Sequence, residues 1–225
     1  MTMHVGDAPA ACLRTRSAMR PQRESLAAQR FMDCVICLLA VPFAIVVGLF
    51  IALLIRLDGG PVFYSQRRVG RGGQSFDCLK FRSMVPDADE RLQEVLARDT
   101  ITRAEWENYQ KLANDPRITR IGKLIRATSL DELPQLLNVW RGEMSIVGPR
   151  PIMVDQISLY GEHFGDYCTL RPGITGLWQI TGRNECTFAE RVRLDMEYAS
   201  NWSVLRDIQI VILTIPAVLA GKGAR

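Results

Sequence analysis

Residues 34–55, CVICLLAVPFAIVVGLFIALLI, run for 22 positions without a charge. About 20 apolar residues are enough for a helix to cross the hydrocarbon core of a bilayer, so any fold of this chain has to accommodate a membrane helix. Two features argue against a simple crossing. Pro42 lies in the interior of the run, where its missing N–H and its clash with the preceding turn favour a kink. Basic residues flank both ends: Arg30 and an Arg-bearing tail before it, Arg56, Arg67, Arg68 and Arg71 after it. Lys and Arg collect on the cytoplasmic side, which would place both flanks on one face. A helix that enters the membrane, bends at Pro42 and leaves on the same side satisfies both constraints; a single span is the alternative. A secretory signal fits poorly, because the run is too long and no small-residue cleavage site follows it.

The 48% apolar content of the 225 residues is concentrated in this run, which leaves one ordinary domain beside it. The expected division is a flexible basic tail over 1–29, a re-entrant membrane helix over 30–57, a cytoplasmic catalytic domain over 58–221 and a short tail over 222–225. The expected fold class is α+β, mainly helical: a monotopic membrane protein with a Pro-kinked re-entrant helix, a short β-hairpin and amphipathic interfacial helices. The six cysteines show no paired zinc-type spacing, and the one C-x-x-C, Cys34 to Cys37, lies inside the apolar run, where it reads as two membrane-buried thiols. That usage suits a reducing, cytoplasmic setting. With only His4 and His163 in the chain, a His-based triad or a multi-His metal site is disfavoured. The net charge of +4 suits an anionic surface or a phosphate-bearing substrate. Nucleic acid is a poor partner, since the cations are dispersed among prolines and carboxylates.

Runs 62–69 and 75–82 are β-rich and joined by a glycine turn, which predicts a hairpin. The G-R-G-G turn is no phosphate cradle of the P-loop type, because no helix opens after it. Lys80 and Arg82 fall on one strand face, either solvated or touching phosphate. Charged amphipathic helices are expected over 87–98 and 103–112, a basic one over 118–128, another over 187–202, and an apolar one, short for a span, over 208–221.

Past the middle of the chain stands Ser129-Leu130-Asp131-Glu132-Leu133-Pro134. Ser129-x-x-Glu132 fits a capping box; alternatively Asp131 is itself the cap, with Pro134 inside the first turn. Either way the two carboxylates open a helix, and local chemistry alone favours a plain cap. Gly148-Pro149-Arg150-Pro151 and Arg171-Pro172-Gly173 shift that balance. Prolines stiffen the backbone around each arginine, and a pre-oriented guanidinium suits bidentate phosphate contact.

The runs KFRSM (80–84), NDPRITRIGKLIRATSLDELPQLLNVWRGEMSIVGPRP (114–151), RPGITGLWQITGR (171–183) and D-x-x-Y-x-x-N-W-S (195–203) together resemble the bacterial sugar transferases, the monotopic phosphoglycosyl transferases that initiate surface-polysaccharide synthesis. The likeness extends over about residues 30–221. It implies transfer of a hexose-1-phosphate, with galactose preferred, from a UDP-sugar to undecaprenyl phosphate, releasing UMP with Mg²⁺ as cofactor. It implies that Asp131 is the nucleophile of a covalent phosphosugar intermediate, that Glu132 assists, and that Asp131, with Glu132, places the metal. It puts Lys80, Arg126, Arg150, Arg171 and Asp195 at phosphate, substrate or otherwise functional positions, and a break in the membrane helix at Pro42. The implied location is the cytoplasmic face of the bacterial inner membrane. Expected partners are membrane lipids and the downstream glycosyltransferases of the pathway; whether the chain forms a homo-oligomer is left open. A non-catalytic membrane-bound subunit of a polysaccharide assembly or export complex is the rival reading, in which Asp131 is only a cap.

Overall fold

The computed structural model describes residues 23–57, 59–110, 112–181 and 186–219. Most of the expected N-terminal tail, the C-terminal tail and Cys12 therefore lie outside the described residues. The apolar run forms helix α1, Arg23–Leu57, 35 residues with Pro42 inside and helix continuing on both sides of it. It begins ahead of the expected position 30 because Leu26 and Gln29 already pack against the domain, 9% and 1% exposed. Among the described residues it is one helix long and apolar enough to cross a membrane.

Helix α1 is docked at both ends on the same domain. Toward its N-terminus, Gln29 donates to the Val147 carbonyl at 3.3 Å and to the Asp207 carboxylate at 2.9 Å, and Asp33 accepts from Ser145 Oγ and the Ile146 amide, both at 2.9 Å. Buried polar groups need partners, so these bonds specify one seating of the helix. Toward its C-terminus, Ile51 and Ile55 share a core with Phe81 and Ile125, and the Ile55 carbonyl accepts from Arg82. Between and around these anchors, Leu39, Phe43, Val46, Leu49, Phe50 and Leu53 stand exposed, each more than half of its surface open. A continuous apolar face of this size needs a nonpolar surrounding.

Strands β1 (Phe63–Val69) and β2 (Ser75–Phe81) form the expected antiparallel hairpin, with Tyr64 opposite Lys80, Gln66 opposite Cys78 and Arg68 opposite Phe76. Paired residues project to the same side, so Tyr64, Gln66, Arg68, Cys78 and Lys80 share one face. Helices α2 (Ala88–Arg98) and α3 (Thr100–Tyr109) follow, then the basic helix α4 (Arg120–Ala127), which buries Ile125 and leaves Leu124 exposed. A 3₁₀ turn, Leu130–Glu132, leads into α5 (Gln135–Arg141). Strand β3 (Ser145–Val147) pairs in parallel with β4 (Gly173–Thr175); between them lie the short helices α6 (Ile157–Tyr160) and α7 (Phe164–Tyr167). Helices α8 (Leu177–Thr181), α9 (Phe188–Ser200) and α10 (Val204–Leu219) complete the described chain. Asp207 on α10 accepts from Tyr198, Trp202 and Gln29, which ties α9, α10 and α1 together.

The described residues form three packed clusters, and α1 contributes to two of them: Leu26 and Cys37 to the cluster of Phe76, Val139, Val147 and Ile210, and Ile51 and Ile55 to that of Phe81 and Ile125. The third joins Val69, Ile152, Tyr160, Phe164, Tyr167 and Phe188. Cys37 is a buried core thiol against the Leu136 carbonyl, and no disulfide joins the described cysteines.

Candidate active site

The cap reading of Asp131 does not survive the local geometry. Ser129 takes a left-handed conformation, φ 56°, that ends the path of α4 and swings the chain into the 3₁₀ turn, and its hydroxyl caps nothing. Helix α5 opens after Pro134 without a side-chain cap, and proline has no N–H there to satisfy. The expected capping box is therefore absent, and Asp131 is not the helix cap either. Leu130 and Leu133 instead pack against the core of Ile51 and Ile55 on α1. Their burial pins the acidic turn between the membrane helix and the hairpin. Asp131 itself is 7% exposed.

Lys80 reaches across from β2 and donates to Glu132 at 2.5 Å. Among the described residues this is the ion pair of the turn, while Asp131 has none. Burial pushes the Asp131 carboxyl up, to about 6, against the pull of Lys80 and with the push of Glu132. Burial also works to raise Glu132, but Lys80 and Arg150 outweigh it and hold this carboxyl low, with a hydrogen bond from Gln135. Two adjacent carboxylates thus lie in unequal surroundings: cations hold Glu132 as an anion, while burial and Glu132 oppose the ionisation of Asp131.

Cations surround this pair. Arg126, on the last turn of α4, acts on Asp131. Arg150 lies with its guanidinium 5.0 Å from the centre of the Trp178 ring, and Arg191 lies 5.2 Å from the same ring. Its loop is held on both sides: Gly173 N donates to the Pro149 carbonyl, and Val69 N to that of Ile152, at 2.9 and 2.8 Å. Asp195 accepts from the Arg150 amide at 3.4 Å and from Tyr160 Oη at 2.7 Å. Asp195 is 1% exposed; burial lifts its carboxyl to about 7, against Tyr160, Arg150 and Arg191. It therefore sits behind Arg150 as a support. A cleft of about 570 Å³, lined by Asn114, Asp115, Lys123 and Arg126, opens beside the turn.

Lys80, Arg126, Asp131, Glu132 and Arg150 thus come together, with Asp195 behind them. Arg171 does not join them: its Nε donates to the Gly142 carbonyl at 2.8 Å, and its charged neighbours are Arg71, Arg30 and Asp33. Arg30 meets the Val139 and Trp140 carbonyls in the same region, so Arg30 and Arg171 together satisfy the C-terminal end of α5. Sequence reasoning missed Arg68, Trp178, Arg191 and Tyr160. The strand alternation Tyr64, Gln66, Arg68 on the face of Lys80 was the available signal for Arg68; the other three carry none that is local.

No group of three His, Cys, Asp or Glu side chains that could cage a metal occurs among the described residues. The donor set present is two carboxylates beside a cationic wall. That set fits Mg²⁺, which is commonly held by one or two carboxylates with substrate phosphates and water completing its shell.

The profile of the family described as bacterial sugar transferase matches residues 24–221. The chain belongs to this family. As a sugar transferase it has close relatives. It is 47% identical over 197 residues to the exopolysaccharide production protein ExoY of Sinorhizobium fredii, covering 87% of each chain. It is 46% identical over 203 residues to the undecaprenyl-phosphate galactose phosphotransferase of Salmonella typhimurium, 90% of this chain but 43% of that larger protein. A UDP-glucose:undecaprenyl-phosphate glucose-1-phosphate transferase of Caulobacter vibrioides is 36% identical over 205 residues, 87% of this chain and 71% of that one. The matched segment contains the whole acidic turn and every cation described above.

Proposed function

We propose that this sugar transferase moves a hexose-1-phosphate, galactose-1-phosphate by preference, from a UDP-sugar to undecaprenyl phosphate, releasing UMP and initiating exopolysaccharide repeat-unit synthesis. The observation that carries this reading is a buried carboxylate, Asp131, without an ion-pair partner of its own, beside Lys80 and Arg126 and next to Glu132, which Lys80 and Arg150 hold as an anion. In the first step an Asp131 oxygen attacks the phosphorus that bears the sugar, and the bond from that phosphorus to the bridging oxygen breaks. UMP leaves with the electron pair. In the second step an oxygen of the lipid phosphate attacks the same phosphorus and displaces the Asp131 carboxylate, which regenerates the enzyme. A carboxylate meeting a diphosphate faces like-charge repulsion, and the ring of cations offsets it. Asp131 and Glu132 would hold Mg²⁺, which would supply further charge neutralisation when bound. Glu132, tied to Lys80, keeps that lysine beside the nucleophile. Splitting the transfer in two lets the water-soluble donor and the lipid acceptor use the site in turn.

Placement supports the same reading. Leu130 and Leu133 hang the acidic turn on α1, so the nucleophile lies against the element that presents an apolar face. Both ends of α1 contact one domain, as a helix that enters and leaves the cytoplasmic face of the inner membrane on the same side would; in this proposal the bend falls at Pro42. A straight crossing would carry one end about 30 Å away. In intact cells, thiol labelling of Ala28→Cys and Leu57→Cys variants is expected to give equal protection from an impermeant external reagent; labelling of one and not the other would contradict the re-entrant arrangement.

The test of the function is incorporation of radiolabelled sugar into the organic phase from UDP-galactose, UDP-glucose and related donors with undecaprenyl phosphate and Mg²⁺. Transfer from UDP-galactose is expected to lead; no UMP release from any donor would leave the chain as a non-catalytic assembly subunit. Acidity gives a second handle. Asp131 attacks as the anion and its carboxyl is raised to about 6, so UMP release should fall about tenfold per pH unit below about 6 and level off above it. A profile flat down to pH 4 would contradict a buried carboxylate nucleophile.

A further inference from the structure

The wall of cations extends one residue farther than the expected site, to Arg68. Its partners are neutral: it donates to the Pro151 carbonyl at 3.0 Å and to Gln66 Oε1 at 2.5 Å. Its nearest formal charge of consequence is another cation, Arg150, and together with burial this neighbour holds the Arg68 guanidinium below its ordinary range. Among the described residues neither arginine lies within ion-pair distance of a carboxylate. Two half-buried guanidinium groups set together, with no carboxylate within ion-pair distance of either, are unfavourable unless something negative joins them. Both are also aimed: Gln66 and Pro151 hold Arg68, while Trp178 and the proline-flanked loop hold Arg150. Strand parity puts Arg68 on the hairpin face of Lys80, and Cys78 between them feels Lys80, Arg68, Glu132 and Arg150 alike. The cations thus form a row running from Lys80 past Glu132 to Arg150 and Arg68.

A diphosphate donor has two phosphoryl groups, and the nucleophile accounts for one. We infer that Arg68 and Arg150 form a second phosphoryl subsite, which takes the nucleotide-side phosphate of the donor and holds it as the leaving UMP. This inference rests on the function proposed above. A guanidinium pair suits a phosphate dianion, which accepts two forked contacts. It would bind the leaving group more tightly as charge builds on the bridging oxygen.

The lipid acceptor also carries a phosphate, so the two half-reactions are to be measured separately in detergent-solubilised full-length protein. The first is exchange of radiolabelled UMP into UDP-sugar without acceptor. The second is discharge of preformed phosphosugar adduct to undecaprenyl phosphate. Arg68→Met is expected to raise the UMP concentration giving half-maximal exchange about tenfold to a hundredfold, the range set by loss of a charge-assisted contact, while adduct discharge stays within about twofold. Arg68→Lys should fall between, and Gln66→Leu, which only frees the guanidinium, should give a smaller shift in the same direction if Arg68→Met fails to fold. Arg98→Gln, on the exposed face of α2, should leave UMP exchange unchanged, and Lys123→Gln, in the cleft beside Arg126, probes the other side of the turn. Loss confined to adduct discharge would assign the pair to the lipid phosphate instead, and a UMP defect in Lys123→Gln with none in Arg68 variants would place the leaving phosphate on the Arg126 side. Either result overturns the inference. Wild-type protein that exchanges no UMP at all would instead refute the underlying function.

Discussion

Replacing Asp131 with Asn is expected to leave a folded protein that still partitions to membranes and has lost UMP release by at least about 10³-fold, the scale on which loss of a covalent nucleophile is felt. The substitution keeps the shape of the side chain and removes its charge. Folding should not suffer, because Asp131 is 7% exposed, has no ion pair of its own and stands beside Glu132, so burial and a neighbouring anion both oppose its ionisation. Taking that charge away relieves the fold while it disables the chemistry, a trade expected where an active site stores unfavourable electrostatics. The two readouts therefore move in opposite directions. A cap would behave differently: its loss costs stability and spares activity. Thermal unfolding in detergent and steady-state UMP release, measured on the same preparation after excluding deamidation by mass, distinguish the two. An active Asp131→Asn variant, or one that fails only because it unfolds, would contradict the assignment.

The second large effect is on the frame that holds Arg150. Gly148 follows β3 and faces β4 with no room for a side chain: a Cβ there would lie 2.3 Å from the Arg171 carbonyl oxygen and 2.7 Å from the Gly173 amide nitrogen. Across the gap, a Cβ on Gly173 would lie 2.1 Å from the Gly148 nitrogen and 2.4 Å from the Thr175 oxygen. The obstacles are backbone, so no rotamer change clears them. Gly148→Ala must push the strands apart and stretch the bonds Gly148 N to Thr175 O and Gly173 N to Pro149 O, both 2.9 Å. Overpacking of this kind costs about 3 kcal/mol or more. In a domain of this size that is roughly a 6–12 °C fall in Tm. Because Pro149 and Arg150 follow directly, activity should fall further than stability explains even below the melting transition. A Gly148→Ala protein with unchanged Tm and activity would show that the β3–β4 contact does not position the arginine.

How much of this was legible in the chain depended on whether the signal was local. The hairpin was: alternating apolar residues around a glycine turn gave both strands. The membrane helix was, through its uncharged run. The β3–β4 pair was not, since each strand is three residues long and parallel pairing joins segments far apart in sequence, with nothing in either to announce the other. The acidic turn was half legible. Ser129-x-x-Glu132 fits a capping box, yet Ser129 adopts φ 56°, a tertiary choice made by burying Leu130 and Leu133 against α1. Arg150 and Arg171 share the same proline device, and sequence gave no means of separating them. The structure does so through their partners: an indole and Glu132 for Arg150, the carbonyl end of α5 for Arg171.

The covalent intermediate on Asp131 is open to one direct measurement. The full-length protein in detergent, given UDP-galactose and Mg²⁺ but no lipid acceptor, is analysed by intact-protein mass spectrometry within a single turnover. A covalent intermediate gives a mass increase of one hexose-phosphate, up to one UMP released per chain, localisation of the adduct to the peptide carrying Asp131, and discharge on adding undecaprenyl phosphate. UMP release that begins only when acceptor is present, with the protein mass unchanged throughout, would show direct transfer between the two substrates and contradict it.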